Sequence, residues 1–381
     1  MRLLLTVILV ASSLLAVGPA TADDERERAA RGPGSVKLEG RGYGHGRGMS
    51  QYGAQGAASQ HGKKWRGIVG FYYPGTEIGD VGGKIKILIT ADTTDDVVVR
   101  DRSRLRLKAR GMDPVPLDRR GARQWRLSPT SSGATLAVLT DRWRTVRQVG
   151  HNAQFSAGGR PVALVTPSGD ARYRGALRSA GRDTINVVAL EHYLRGVVPR
   201  EVPALWHPQA VRAQSVAART YAAFERRAHT GRYDLCDTTD CQVYGGVADE
   251  HPASDDAIEA TSGKVVTKGG APIFSQFSSS NGGWTVKGDF PYLHAQRDPW
   301  DRWSGNPNRS WTHRLTDNQI ENAFPGIGDF QRLRVRRRDG NGAWNGRVLS
   351  IRAVGSAGSV VRSGDDFRVI FGLKSTWFRI V

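Results

Sequence analysis

From residue 82 to about residue 175 the sequence carries one kind of periodicity, the two-residue alternation of strands. In KIKILIT, Ile85, Ile87 and Ile89 fall on one face, and DVVVR, RLRLKAR and QWRLS repeat the signal between turn residues. Helical patterns lie on both sides of this stretch. Before it, residues 49–62 place Ala54, Ala57 and Ala58 toward a core, and FYYPGTEIG reads as an aromatic strand-like end closed by a Pro-Gly turn. After it, Pro208 opens a helix at a position where a missing N–H costs nothing. QAVRAQSVAARTYAAFERRAHTG then carries Ala210, Ala213, Ala217, Tyr221 and Phe224 near one face and stops at Gly231. A short helix is expected from Ser254, followed by a hairpin turning near Gly269-Gly270. The pattern predicts an α+β fold.

The N-terminus points to export. Leu3 to Val17 is apolar apart from Thr6, Ser12 and Ser13, and Ala20-Thr21-Ala22 has the small-x-small form that a signal peptidase accepts. A signal peptide over 1–22 and a charged linker over 23–35 are expected. The apolar run falls short of the ~20 residues that span a bilayer, so no transmembrane segment is expected after cleavage. The formal charge is +19. Outside the cell such a chain meets anionic wall polymers, and no dense Lys/Arg block with interleaved aromatics favours nucleic acid. Cys236 and Cys241 are the two cysteines, and in an oxidising compartment they are expected to form a disulfide. Zinc normally wants four Cys/His ligands, and His229 and His251 lack the tight spacing. No cofactor or metal is expected.

At YLRGVVPREVPALWHPQAVRAQSVAARTYA the chain resembles the SpoIID/LytB family, bacterial wall proteins known from sporulation and as amidase enhancers. YDLCDTTDCQVYGG, IEATSGKVVTKGGAPI, FSSSNGGWT and GRGYGHGRGMSQYGAQGAASQHGKKWRGIVGFYYPGT extend the resemblance. In the sporulation members the last of these motifs lies near the C-terminus, whereas here it comes first. The resemblance therefore implies a permuted arrangement. Residues 36–81 form the first segment of the catalytic domain, 82–175 an inserted β-rich domain packed by itself, and 176–381 the main catalytic part. It further implies lytic transglycosylase activity, which cuts between N-acetylmuramic acid and N-acetylglucosamine and closes a 1,6-anhydro ring. The alternative is a non-catalytic enhancer of a cell-wall amidase. Peptidoglycan glycan strands are the expected partner in either case.

Glu201 matches the family's catalytic glutamate. Val197, Val198, Val202 and two prolines make its approach apolar, and desolvation raises a carboxyl pKa toward what a general acid needs. Arg219 sits where the family keeps an arginine and is expected to hold Glu201 or bind substrate. His45, Gln51 and Tyr52 come from the glycine-rich motif, and Gln214 is expected to share the groove. Gln242, Tyr244, Ser279 and Asn281 lie in polar motif loops suited to sugar hydroxyls and N-acetyl groups. Trp284, Trp300 and Trp303 are candidate sugar platforms, and Glu191 reads as a surface or capping residue.

Overall fold

The structure, a computed structural model, describes residues 34–381; the expected signal peptide and most of the linker lie outside the described residues. The fold is α+β and divides into two compact units, one spanning Arg41–Ser310 and the other joining residues 34–40 to Trp311–Val381.

In the larger unit the alternating stretch forms two sheets. The six-stranded sheet lies wholly inside 82–175, in the order Trp143–Val149, Gly133–Leu139, Gln124–Thr130, Val97–Arg100, Val162–Thr166, Gly169–Tyr173. The seven-stranded sheet does not. Its strand Lys84–Leu88 pairs antiparallel with Asp183–Ala189, which turns back on Ala176–Ala180, and it pairs parallel with Leu235–Cys236. The boundary expected at 175/176 therefore runs through a hydrogen-bonded ladder. A separately packed insert would leave those backbone groups unpaired, so the β-rich stretch shares its sheet with strands from beyond residue 175. Its core is shared as well: Val99, Leu127, Leu136 and Leu164 belong to the same buried cluster as Tyr193, Val197, Val211 and Tyr244.

The helix Pro208–Ala228 is the spine of this unit. Two of its faces are buried, because alanines fill both. Ala210, Ala213 and Ala217 join a cluster with Met49, Ala54, Ala57, Ile68 and Tyr72; Val211, Ala218 and Ala222 join the cluster of the β sheets. Small side chains let other helices approach closely on either side. The glycine-motif helix Gln51–His61 uses the same device: a Cβ at Gly53 would stand 2.0 Å from the Tyr72 hydroxyl, and one at Gly56 would stand 2.2 Å from the Trp300 carbonyl oxygen.

Three local expectations are corrected. FYY is not the end of a strand. It ends the helix Trp65–Tyr72, because Ile68, Val69 and Tyr72 recur at helical spacing and bury there; the strand Glu77–Asp80 comes after the turn. The short helix is Pro252–Glu259, capped by the His251 ring accepting from Ala253 N–H at 3.2 Å, two residues ahead of the expected start. The long helix ends at Ala228, before Gly231.

In the smaller unit, Ser35–Gly40 is the middle strand between Trp311–Thr316 and Phe378–Ile380, both antiparallel to it. A second sheet holds Phe330–Arg338, Val348–Gly355 and Ser359–Ser363. The core combines Val36 and Leu38 with Trp311, Phe367 and Phe378. The stretch 311–381, expected to continue the catalytic part, instead packs with 34–40. Among the described residues no helix is long and apolar enough to cross a membrane.

Candidate active site

Glu201 is the last residue of a single helical turn, Val198–Glu201, with Pro199 as its second residue. The turn is fixed from behind. Val197, Val198 and Val202 are buried, and Gly196 lies so close to the Tyr244 ring and the Gly246 carbonyl that a Cβ there would stand 2.7–2.8 Å from them. The Glu201 carboxylate accepts a hydrogen bond from Gln51 Nε2 at 3.3 Å. Burial pushes its pKa up from the ordinary 4.5 to about 7, against the opposing pull of the Gln51 amide. Around neutral pH a large share of Glu201 is thus protonated.

That shift carries a stability prediction. Below the unfolded pKa, Glu201 is protonated whether folded or not. As pH rises from 4.5 through about 7, only the unfolded chain ionises it freely, so the folded state loses stability over that window. Glu201→Gln carries no such penalty. It is expected to be more stable than wild type by ~2–3 kcal/mol at alkaline pH, with the gap closing toward acid. Denaturant unfolding at both ends of the window checks this, and a gap independent of pH contradicts it.

Glu201 opens on a cavity of about 300 Å³ lined by His45, Tyr221, Thr239, Asp240, Cys241, Gln242, Phe274, Gln276 and Phe277. Five chain segments converge on it. The glycine-rich segment is stitched in by the parallel pairing of Met49–Ser50 with Phe277–Ser278. His207 N–H donates to the Gln55 side chain at 3.0 Å, and Trp65 N–H to that of Gln209 at 3.0 Å. The loop through Cys236 and Gln242 is pinned at its base. Asp237 accepts from Thr90 N–H at 3.1 Å and from the Thr90 hydroxyl at 2.6 Å, and Cys236 is disulfide-bonded to Cys241. No cluster of three or more His, Cys, Asp or Glu side chains suited to a metal occurs among the described residues.

Three of the expected site residues stand at Glu201 or on its cavity. Gln51 bonds to it, and His45 and Gln242 line the cavity. The Tyr52 ring meets Trp206, five residues past Glu201, edge to face at 4.9 Å. Gln214 is buried on the long helix with both ends of its amide lacking a hydrogen-bond partner. Ser279 serves through its backbone, its carbonyl accepting from Tyr52 N–H at 2.9 Å.

Others have different work. Arg219 is fully buried and points its fork at Glu191, with Nε and Nη2 at 2.9 and 2.7 Å from the two carboxylate oxygens. Its remaining donors go to the Lys264 carbonyl at 3.1 Å and the Ile258 carbonyl at 3.2 Å. None of these partners lines the cavity, so Arg219 is a structural clamp and Glu191 its counter-ion, where a substrate ligand and a surface residue were expected. Tyr244 is also buried; its hydroxyl donates to Asn186 at 2.9 Å and its ring packs on Tyr173 and Tyr193. Asn281 is fully buried between Asp298, to which it donates at 2.7 Å, and Gly283 N–H at 2.8 Å. Trp300 packs on Phe71 of the helix Trp65–Tyr72, and Trp303 donates to the Tyr52 carbonyl at 3.0 Å, so each braces a helix of the N-terminal segment.

The sequence reading missed Asp298 and Asp301. Asp301 accepts from the hydroxyls of Ser50 and of Ser280 and from Asn281 N–H. Asp298 accepts from the Tyr72 hydroxyl at 2.7 Å. Ser50 caps the helix that begins with Gln51, accepting from Gly53 N–H at 3.0 Å, so this buried pair sets the orientation of the residue that touches Glu201. Both carboxyls are pushed up by burial, Asp301 to about 6.

The SpoIID family, described as stage II sporulation protein, matches residues 178–267, which include Glu201, Arg219 and the disulfide loop. The chain carries a SpoIID domain. Over 134 residues the protein is 40% identical to an amidase enhancer of Bacillus subtilis (strain 168), covering 34% of this chain and 17% of that one. Over 147 residues it is 31% identical to the stage II sporulation protein D of the same organism, covering 33% and 43% respectively. The stage II sporulation protein D of Bacillus amyloliquefaciens is 28% identical over 174 residues, covering 40% and 49%. The chain thus spans less than half the length of each of these relatives. The matched part of the SpoIID domain leaves out Gln51 and the rest of the glycine-rich motif, which the fold nevertheless places against Glu201.

Proposed function

We propose that the protein is a secreted lytic transglycosylase acting on the bond between N-acetylmuramic acid and N-acetylglucosamine in peptidoglycan strands. The observation that carries this reading is Glu201: a carboxyl on the wall of an open cavity, oriented by Gln51, whose pKa burial raises to about 7. In the first step the Glu201 carboxyl gives its proton to the glycosidic oxygen as the bond from that oxygen to the muramic anomeric carbon breaks. The carboxylate so formed then takes the proton of the muramic C6 hydroxyl as its oxygen bonds to the anomeric carbon. Glu201 ends protonated, no water is consumed, and the products are a free N-acetylglucosamine hydroxyl end and a 1,6-anhydro-muramic end.

Two other readings each have a specific support. Asp240 lines the same cavity, and a pair of carboxyls is the equipment of an ordinary glycoside hydrolase. One relative is named an amidase enhancer, a role that needs binding to the wall and no bond cleavage. Incubating the protein alone with purified, peptide-free glycan strands separates enzyme from enhancer. Wild type is expected to shorten the strands. Unchanged strand length, together with a faster amidase when the protein is added to one, contradicts the enzymatic reading.

A further inference from the structure

In the smaller unit the sheet of Phe330–Arg338, Val348–Gly355 and Ser359–Ser363 turns one face to the core. Leu333 stands opposite Ala353 and Val335 opposite Ile351, and all four pack in that core. Neighbours along a strand point to opposite faces, so Arg332 and Arg334 lie on the other face, with Arg352 directly opposite Arg334. The irregularity after Val335 brings Arg337 to the same face, opposite Ser350. Arg334 and Arg337 are exposed, and Arg332 and Arg352 are half-buried. Among the described residues, none of these four side chains makes an ion pair or a hydrogen bond. Two acids close to them in sequence are engaged by backbone: Asp339 accepts from Asn341 and Arg347 N–H, and Glu321 from Phe330 N–H.

Charge on an outer strand can serve only to keep a sheet edge from pairing with another chain. That accounts for arginines on Phe330–Arg338, an edge strand, but not for Arg352, which lies on the middle strand. Like charges directly opposite in a ladder destabilise it. Arg334 and Arg352 form such a pair, their Cβ atoms on the order of 5 Å apart, and an anion seated between them removes the repulsion. The guanidinium fork matches two oxygens of a phosphate. Arg332 and Arg334 are two residues apart, ~6.8 Å along the strand, so positive charge repeats along a line, which suits a linear polyanion better than a single ion. Around the arginines stand Val354, Val361, Ser350 and Ser363, with no aromatic ring among them. The bases of a nucleic acid find nothing there to stack on, whereas the serine hydroxyls can pair with those of a polyol.

We infer that this arginine face is a docking surface for a polyol-phosphate chain, with Arg334 and Arg352 gripping one phosphodiester from two strands and Arg332 and Arg337 holding its neighbours. Such a surface anchors the protein to an anionic polymer whatever reaction Glu201 performs. The informative variant combines Arg334→Gln with Arg352→Gln. It removes the opposed pair, leaves the core face untouched and relieves a repulsion, so its denaturant midpoint is expected at or above that of wild type. The control combines Arg119→Gln with Arg160→Gln, two exposed arginines of the larger unit, and loses the same formal charge.

The test is fluorescence anisotropy of the whole chain with labelled poly(glycerol phosphate), run from about 50 to about 200 mM salt. Labelled oligo-dT and polyglutamate of matched charge are the rival polyanions, and phosphatidylglycerol vesicles the rival surface. Wild type is expected to bind poly(glycerol phosphate) more tightly than any of the three. The Arg334→Gln, Arg352→Gln protein is expected to bind it ~10–100-fold more weakly, with the slope of log affinity against log salt reduced by about 2, one for each lost phosphate contact. The control protein is expected to stay within a few-fold of wild type. Wild type that does not bind poly(glycerol phosphate), or that prefers one of the rivals, overturns the inference without any appeal to a variant. A folded double variant with wild-type affinity and slope also overturns it. So does a control that loses as much as the double variant, since charge anywhere on the surface would then suffice. Counting glycan ends made by the same double variant keeps this surface apart from the Glu201 reading: weaker polymer binding with unchanged cleavage of peptide-free strands is the expected pairing, and cleavage lost together with binding overturns the separation of the two sites.

Discussion

Glu201→Gln is expected to reduce glycan cleavage by ~10²–10⁴-fold, the usual contribution of a positioned general acid–base group. The amide has the shape of the acid and still accepts from Gln51, but it has no proton to cycle. Binding should survive, because the cavity wall and the overall charge are otherwise unchanged. The wild-type pH profile carries a matching signature. In the proposed mechanism cleavage starts from the protonated carboxyl, so activity should fall as pH rises through about 7, where Glu201 ionises. A rate assay on glycan strands across that range checks both. A residual rate within a few-fold of wild type, or an alkaline limb unrelated to Glu201, removes this residue from the mechanism. Together with the expected gain in alkaline stability, the variant is predicted to be inactive and better folded, a pairing that damage to the fold cannot produce.

Glu191→Ala is expected to do the opposite, costing about 3 kcal/mol of stability while leaving the chemistry of the remaining folded protein largely intact. Arg219 is fully buried, and removing its counter-ion strands a guanidinium in the interior. Breaking one partner of a buried ion pair typically costs ~3–5 kcal/mol. The lower end applies because the Glu191 side chain is 31% exposed and because the backbone carbonyls of Ser215, Ile258 and Lys264 still accept from Arg219. The loss also orphans Gly263 N–H, which donates to Glu191 at 3.1 Å. Denaturant midpoints, with activity normalised to folded protein, give the answer. A midpoint shift near zero contradicts the clamp, and a specific activity that collapses in folded protein returns the pair to the active site.

The contrast between these two glutamates shows what a sequence of this kind does and does not disclose. Glu201 is legible because its signal is local: valines and prolines within a few positions already describe an apolar turn, and the motif around it is distinctive. Arg219 stands in the same motif, and its role is not legible, because the partner that decides it is 28 residues away and burial is a tertiary property. Tyr244 and Asn281 mislead in the same way, as polar motif residues turned inward to Asn186 and Asp298. Asp298 and Asp301 give no warning in a loop without periodicity, and Trp206 is lost in the motif's background. At the level of the fold, the strands of 82–175 announce themselves by alternation. The strand over 184–188 is legible as a strand too, but its pairing with Lys84–Leu88, like that of 235–236, is not, since strand pairing leaves no mark on local pattern. The link between 34–40 and the C-terminal stretch is invisible for the same reason.

In the proposed reaction Glu201 alone carries a proton through both halves, with the muramic C6 hydroxyl as nucleophile. Mass spectrometry of the ends made by wild type on purified glycan strands tests it most directly. The expected products are 1,6-anhydro-muramic ends, formed without uptake of solvent oxygen in isotopically labelled water and absent from the Glu201→Gln digest. Free reducing ends carrying the label would contradict it and would turn attention to Asp240 as the base of a hydrolase.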